Sequence, residues 1–578
     1  MDFPHIRGNG AARQVLPALL GGLLPDARGA PAPFGAARVK GLSAPRENVY
    51  VPSMQRPTPT LARRYGFKLL ANMASVPVYL AMEAILPRAL GPQMYGNYSF
   101  ATNLFQQLSG FLDMGTSTCF YNALSRRRDE TALAGFYLRV SLGVAVVSLL
   151  AALLMLWPPA GGLLMPGVPL WLAPLAALWA FLTWWGRVLR SMNDALGATI
   201  PSELARTVIS LLAVALLGLL FWGDLLTIES LFAQQYLMLG ATALAFWLVS
   251  RRHWRECGVP LRLRPDRAQM RAYGREFFDY SHPLFVQALL SFFMLTAERW
   301  LLQWFDGSAQ QGFFALSQKV SMACFLFVSA MTPLVMREFS IAWGRKDVPA
   351  MGRLLTRFAP LLYAVAAYFS CFTLAEGAAL VDFFGGAQFA AAILPVQIMA
   401  LYPLHQAYGQ LAGSVFHATG RTRVLRNMAA FECVYGFAAA WFLLAPGHLG
   451  GLGLGATGLA VKTVAVQCIT VNLYLWLASR FIPFAFWRNA AHQLLCLAAL
   501  LALAFGAREA TLFLAAAMGA GAPGALDDIV RFCASGVLYS FLAAALCLVA
   551  PGLLGLTRRE LRELAVRLRS ALCRRRGG

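Results

Sequence analysis

The stretch "RALGPQMYGNYSF" (Arg88–Phe100) lies between two long apolar runs, and "WFDGSAQQGFFAL" (Trp304–Leu316) lies between two others much later in the chain. Gly91 and Gly96 match Gly307 and Gly312 at one offset, because 307 − 91 and 312 − 96 both equal 216. The same turn used twice points to a duplicated unit. A second pair, "SMNDALG" (Ser191–Gly197) and "SVFHATG" (Ser414–Gly420), follows in the same order at an offset of 223 (420 − 197), a difference that a change in loop length accounts for. The Gly91–Gly96 spacing also imitates a nucleotide loop, but the Lys is missing and no G-x-x-x-x-G-K-[ST] occurs elsewhere, which argues against ATP hydrolysis by this chain.

The apolar runs themselves decide the class. Of 578 residues, 58% are hydrophobic and 13% charged, against about 25% charged in a soluble domain. Runs of roughly 20 apolar residues, enough to cross hydrocarbon as a helix, recur from Tyr65 onward. The expected fold is an all-α polytopic membrane protein with fourteen spans. Approximate limits are 66–90, 96–122, 134–157, 168–189, 203–222, 228–250, 279–304, 310–336, 357–383, 389–417, 427–446, 456–479, 487–507 and 529–552. Arginines and lysines cluster after every second span, as in Arg126-Arg127-Arg128, Arg187 with Arg190, Arg251 to Arg271, Arg337 to Arg357, and Arg421 to Arg426. The alternate connections, such as "WPPAGGLLMPGVP" and "APGHLGGLGLGA", carry none. Short loops rich in Lys and Arg stay in the cytosol, so both termini are expected there. The net charge of +22 is therefore a topological signal rather than a nucleic-acid surface. Ten scattered cysteines with no C-x-x-C pair and no His/Cys cluster argue against a metal site and against disulfide staples, and no cofactor is expected.

The expected organisation starts with a disordered basic cytosolic arm at 1–60, in which the run Val15–Leu24 is too short and too broken by Pro17 and two glycines to be a signal peptide. A six-helix lobe at 61–256, a basic cytosolic linker at 257–276 and a second six-helix lobe at 277–482 follow. Two further helices at 483–555 and a basic amphipathic tail at 556–578 complete it. The tail sets Leu561, Leu564, Leu568 and Leu572 on one helical face among arginines, a pattern suited to anionic membrane lipids. Because six is even, both lobes enter the membrane in the same sense, and two such lobes facing one another enclose a central cavity.

The segment "ILPRALGPQMYGNYSFATNLFQQLSGFLDMGTSTCFYNALSRR" (Ile85–Arg127) resembles the opening of bacterial O-antigen and exopolysaccharide flippases, relatives of the multidrug and toxin extrusion transporters. Leu90-Gly91, Tyr95-Gly96, Tyr98, Leu112-Asp113 and Gly115 carry the likeness, "ERWLLQWFDGSAQQGFFALSQKV" is similar to its second-lobe version, and "HATGRTRVLRNMAAFE" to a later junction. The resemblance covers roughly residues 61 to 480; the long arm and the last two helices depart from many members. It implies a flippase of the inner membrane that carries polyprenyl-diphosphate-linked oligosaccharide for lipopolysaccharide or exopolysaccharide. It also brings polysaccharide polymerase and chain-length machinery into view as partners. Two alternatives stand beside it. One is an ion-coupled multidrug or organic-cation exporter; the other is a membrane polysaccharide polymerase or ligase, which needs a large outward loop where the longest here is about 508–528.

Ionisable residues within spans cost at least about 2.5 kcal/mol each at the bilayer centre and so mark function by default. Lys319, Arg299, Lys462 and Arg139 are the candidate cavity cations for a diphosphate, Lys319 first, with snorkelling the competing role for Arg139. Glu83, Glu298, Asp113, Glu376 and Glu432 are the candidate gating or ion-coupling acids, Asp113 having a structural alternative. The repeat aligns Glu83 with Arg299 (83 + 216 = 299), which predicts a pair across the lobe interface.

Overall fold

The computed structural model describes residues 61–260, 263–329, 332–419, 421–517 and 525–563, and every regular element among them is helical. The expected arm at 1–60 and the tail leucines Leu564, Leu568 and Leu572 lie outside the described residues. The principal helices are α1 (Leu61–Asp113), α2 (Thr116–Arg126), α3 (Thr131–Leu156), α4 (Leu172–Leu196), α5 (Thr199–Trp222), α6 (Ile228–Glu256), α7 (Arg267–Ser281) and α8 (Phe285–Ser329). They continue with α9 (Thr332–Gly344), α10 (Val348–Ala375), α11 (Tyr402–Ala418), α12 (Thr422–Leu444), α13 (Gly455–Ser479), α14 (Phe486–Ala517) and α15 (Ala525–Val549). Ten helical segments are long and apolar enough to cross a membrane, at Thr131–Leu156, Leu172–Leu196, Thr199–Trp222, Ile228–Glu256, Val348–Ala375, Ala387–Ala418, Val424–Leu444, Gly455–Ser479, Phe486–Ala517 and Asp528–Val549. The protein is a multi-pass membrane protein.

The four other expected spans lie two each in α1 and α8, either side of a glycine break. In α1 Gly91 has φ 68° and ψ 169°; in α8 Gly307 has φ 79° and ψ −175°. Positive φ at that ψ is open in practice only to glycine, so both copies need it for one backbone geometry. The break folds each helix back on itself. Arg299 and Gln318 are nineteen positions apart, about 28 Å along a straight helix, yet a guanidinium nitrogen donates to the Gln318 side chain at 2.5 Å. The expected multi-residue turns are therefore single glycines, with Pro92 entering the next helix at once, where its missing N–H is no loss.

The duplication extends to packing. Helix α1 packs on α4 and α5, α4 on α3 and α6, and α5 on α6; α8 packs on α11 and α12, α11 on α10 and α13, and α12 on α13. The second set is the first with each helix replaced by its counterpart. The most extensive helix contact in the chain joins α1 to α8.

The linker differs from its expected form. Residues 267–281 are a helix, capped at Asp266, whose side chain accepts from the Gln269 amide at 2.7 Å while Gln269 returns a bond to the Asp266 amide. Its Tyr273 and Phe277 are buried against Phe136, and Arg127 holds Glu276 at 2.8 Å. Burial pulls the Arg127 pKa down, but the Glu276 hydrogen bond and charge more than offset this, and the net shift is upward. The basic stretch is docked onto the first half of the chain. The second expected span is also shorter than its apolar run, because Met114 and Gly115 at positive φ separate α1 from α2.

Among the described residues two units are present, 61–543 and 544–563. In the second, Thr557 caps a helical turn, its hydroxyl accepting from the Glu560 amide at 3.2 Å while the Glu560 carboxylate accepts from the Thr557 amide at 2.9 Å.

Candidate functional site

The site lies where α1 meets α8. At the glycine end the backbones touch: a Cβ on Gly96 would sit 1.7 Å from the Ser308 carbonyl oxygen, and one on Gly312 would sit 2.2 Å from that of Pro92. Only hydrogen fits at either position. The Ser308 hydroxyl donates to Asn97 Oδ1 at 2.5 Å and accepts from Gln303 Nε2 at 2.8 Å. Around this crossing Gln388 donates to the Arg88 carbonyl at 3.0 Å, Arg88 donates to the Asp382 carbonyl at 2.7 Å, and Trp300 donates to the Leu163 carbonyl at 2.7 Å. This end is shut.

Deeper along the same helices come the charges. Glu83, 6% exposed, accepts from Lys319 Nζ at 2.6 Å and from the Tyr95 hydroxyl at 3.3 Å. The Lys319 side chain keeps 44% of its surface open. Glu83 is eight residues before Gly91 and Lys319 twelve after Gly307, so the pair sits about 12–18 Å from the closed end, near the middle of a hydrocarbon core about 30 Å thick. The ion pair bridges the two halves of the chain. Tyr95 reaches Glu83 from twelve residues on, and Gln311 accepts from Arg299 at 3.0 Å from twelve residues on. The two hairpins therefore carry the same internal clamp, with an acid in one and a base in the other.

The expected Glu83–Arg299 pair is not formed. Arg299 is 4% exposed, held by the Gln311 and Gln318 carbonyls, and its guanidinium lies 4.4 Å over the Phe314 ring. Glutamines leave its charge formally uncancelled, whereas Lys319 is neutralised. Lys462, 5% exposed, pairs with Glu298 inside the second half. Glu432 lies beside this cluster, in the field of Lys462. Tyr435 donates to the Val466 carbonyl at 3.1 Å next to it. The Glu298–Lys462 pair is thus separate from the open cation at Lys319.

The remaining candidates are elsewhere. Arg139 bonds the Gly135 carbonyl at 3.1 Å and lies 3.5 Å from that of Leu263, at the linker, which is where a snorkelling arginine ends. Asp113 terminates α1 and accepts from the Ser117 amide (3.1 Å), the Ser117 hydroxyl (2.8 Å), Thr116 (3.2 Å), Tyr137 (3.4 Å) and Trp184 Nε1 (3.2 Å). A carboxylate so fully supplied with neutral donors is a clamp between α1, α2, α3 and α4. Glu376 caps α10 near the closed end and accepts from Ser535 at 2.6 Å.

One buried acid escaped sequence reasoning. Glu203 is fully buried and held by Arg190 at 2.5 Å and Arg206 at 2.9 Å, joining α4 to α5. The signal was present as an acid near a span start with arginines at both −13 and +3, but only the helix junction at Gly197 brings Arg190 round to it. Removing one partner of a buried pair costs roughly 3–5 kcal/mol; with both arginines part-exposed, Glu203→Gln is expected at the low end. Thermal unfolding in detergent checks it.

With this geometry established, residues 61–336 match the family model described as polysaccharide biosynthesis protein. That segment, just under half of the chain, is similar to this family. The matched segment runs from the start of α1 past both glycine hairpins and their meeting point. Among solved structures, a lipid II flippase MurJ in an inward closed conformation is similar at 12% identity and a TM-score of 0.58, over 83% of this chain and 98% of that one. That likeness shows a shared fold. An inward-facing multidrug resistance MATE family transporter is similar at 15% identity and a TM-score of 0.47, over 72% and 98%. A MOP superfamily transporter from Pyrococcus furiosus is similar at 15% and 0.45, over 72% and 96%. No curated protein matches by sequence.

Proposed function

We propose that the protein flips polyprenyl-diphosphate-linked oligosaccharide across the bacterial inner membrane, from the cytosolic leaflet outward, by alternating access of its two halves. The observation that carries the reading is the Lys319–Glu83 pair, a half-open cation at mid-membrane depth held by an acid of the opposite half beneath a closed glycine crossing. The positive-inside pattern makes the closed end the outer one. A diphosphate with sugars cannot cross hydrocarbon unaided. In the inward-open state a diphosphate competes with Glu83 for the Lys319 ammonium, and Glu83 falls back on the Tyr95 hydroxyl. Loss of the cross-link then frees α1 from α8 and lets the glycine crossing part. The lipid tail stays outside the protein throughout. Coupling comes from an ion gradient or the membrane potential.

In a deletion strain lipid-linked repeat units are expected to accumulate on the cytosolic leaflet while surface glycan disappears. Normal surface glycan with raised sensitivity to cationic dyes sinks this reading and favours an organic-cation exporter. Polymerised glycan made by the purified protein from lipid-linked units favours the polymerase.

A further inference from the structure

We propose that the closed end carries a headgroup site for an aminophospholipid, recognised as a phosphate with a primary ammonium, in the cavity between α10, α14 and α15. The cavity holds about 70 Å³, lined by Glu376, Arg508, Thr511 and Arg531 with the small side chains of Ala378 and Ala379. One water needs roughly 10–15 Å³ by this measure, so a polyatomic group fits.

The charges lining it are complementary to a zwitterion. Glu376 is 6% exposed, accepts one hydrogen bond, from Ser535, and forms no ion pair within 4 Å among the described residues. A buried carboxylate supplied by one hydroxyl lacks the positive partner that would offset its desolvation. Arg508 and Arg531 line the same space. Arg531 holds Asp528 at 2.9 Å, while Arg508 approaches Glu509 only to 4.0 Å, too far for a hydrogen bond. Each guanidinium-bearing side chain keeps about a third of its surface open, 35% for Arg508 and 36% for Arg531. Guanidinium forks match phosphate oxygens, and a carboxylate accepts N–H bonds from an ammonium but none from a quaternary amine.

A lipid is the source because apolar, exposed side chains stand close in sequence to the cavity lining. Phe513 is 73% exposed, Val530 60% and Leu514 52%, on the two helices that supply the arginines. Helix Gly377–Gly385, which follows Glu376, reaches Arg88 through the Asp382 carbonyl, so an occupied headgroup site braces the same end that the glycine crossing closes.

The test is native mass spectrometry of the full-length protein with phosphatidylethanolamine, phosphatidylcholine and phosphatidylglycerol added separately. Phosphatidylethanolamine is expected to bind about tenfold more tightly than either other lipid, the size of one added charge-assisted contact. Glu376→Gln, which preserves shape, should erase the preference over phosphatidylcholine and leave phosphatidylglycerol binding unchanged. The Arg508→Ala/Arg531→Ala double variant should weaken all three; if it fails to fold, Glu376→Gln decides alone. Equal binding of the three lipids, or a preference that survives Glu376→Gln, overturns the proposal. Free O-phosphoethanolamine should fail to displace the lipid; full displacement would assign the site to a soluble ligand and overturn the lipid reading.

Discussion

Lys319→Ala should stop transport outright, with surface glycan at the deletion-strain level and lipid-linked units retained on the cytosolic leaflet. The ammonium is the half-open member of an ion pair that joins the two halves of the chain at 2.6 Å. Truncating one partner of a buried charge pair costs about 2–5 kcal/mol; with Lys319 half open the low end applies, which is about 30-fold in a rate. Part of that loss is structural, because Glu83 is left buried with only the Tyr95 hydroxyl. The double variant Glu83→Gln/Lys319→Ala separates the two effects. It removes the orphaned acid and should regain thermal stability, while transport stays absent because the phosphate contact is still missing. Recovery of transport in the double variant would mean that Lys319 serves only to neutralise Glu83. Glu83→Gln alone keeps the cation and loses the cross-link, so it should transport measurably and shift the protein away from the state closed at the glycine end.

The second large effect is expected at the crossing itself. In Gly96→Ala the new methyl would lie 1.7 Å from a backbone oxygen of Ser308, well inside van der Waals contact. Backbone cannot swing aside as a side-chain tip can, so the two helices must separate by more than an ångström. Overpacking of this kind costs roughly 1–3 kcal/mol, and here the whole penalty falls on the closed state. Transport should drop by about tenfold or more, because a cycle that cannot close one end cannot alternate. With Ser308→Cys as reporter, an impermeant thiol reagent applied from outside should label the Gly96→Ala protein above the background of native cysteines, and the Gly96 protein far less. Wild-type transport with equal protection of the reporter would show that this crossing is not a gate.

Much of the architecture was legible in the sequence because bilayer physics acts on short segments. Apolar length and the glycine offset of 216 are one-dimensional quantities, and they correctly marked a multi-pass helical chain with two equivalent hairpins. The individual glycines were legible too, since positive φ and backbone contact exclude other residues. Their exact form was not: a single residue closes each turn, because Gly91 and Gly307 reverse the chain without a loop.

Charge pairing was beyond the same reasoning. The repeat set Glu83 opposite Arg299, yet Glu83 holds Lys319 and Arg299 rests on two glutamines. Lys462 finds Glu298, 164 positions away, and Asp113 gathers donors from three further helices. Residue spacing determines which side chains share a helix face. Which face meets which depends on the rotation and crossing angle of packed helices, set by the sum of many side-chain contacts far apart in the chain. The sequence by itself determined that this is a multi-pass membrane protein with two matching glycine hairpins. Only the tertiary structure decided that Lys319 stands half open at mid-depth, because burial and partnership are properties of surfaces that meet only after folding.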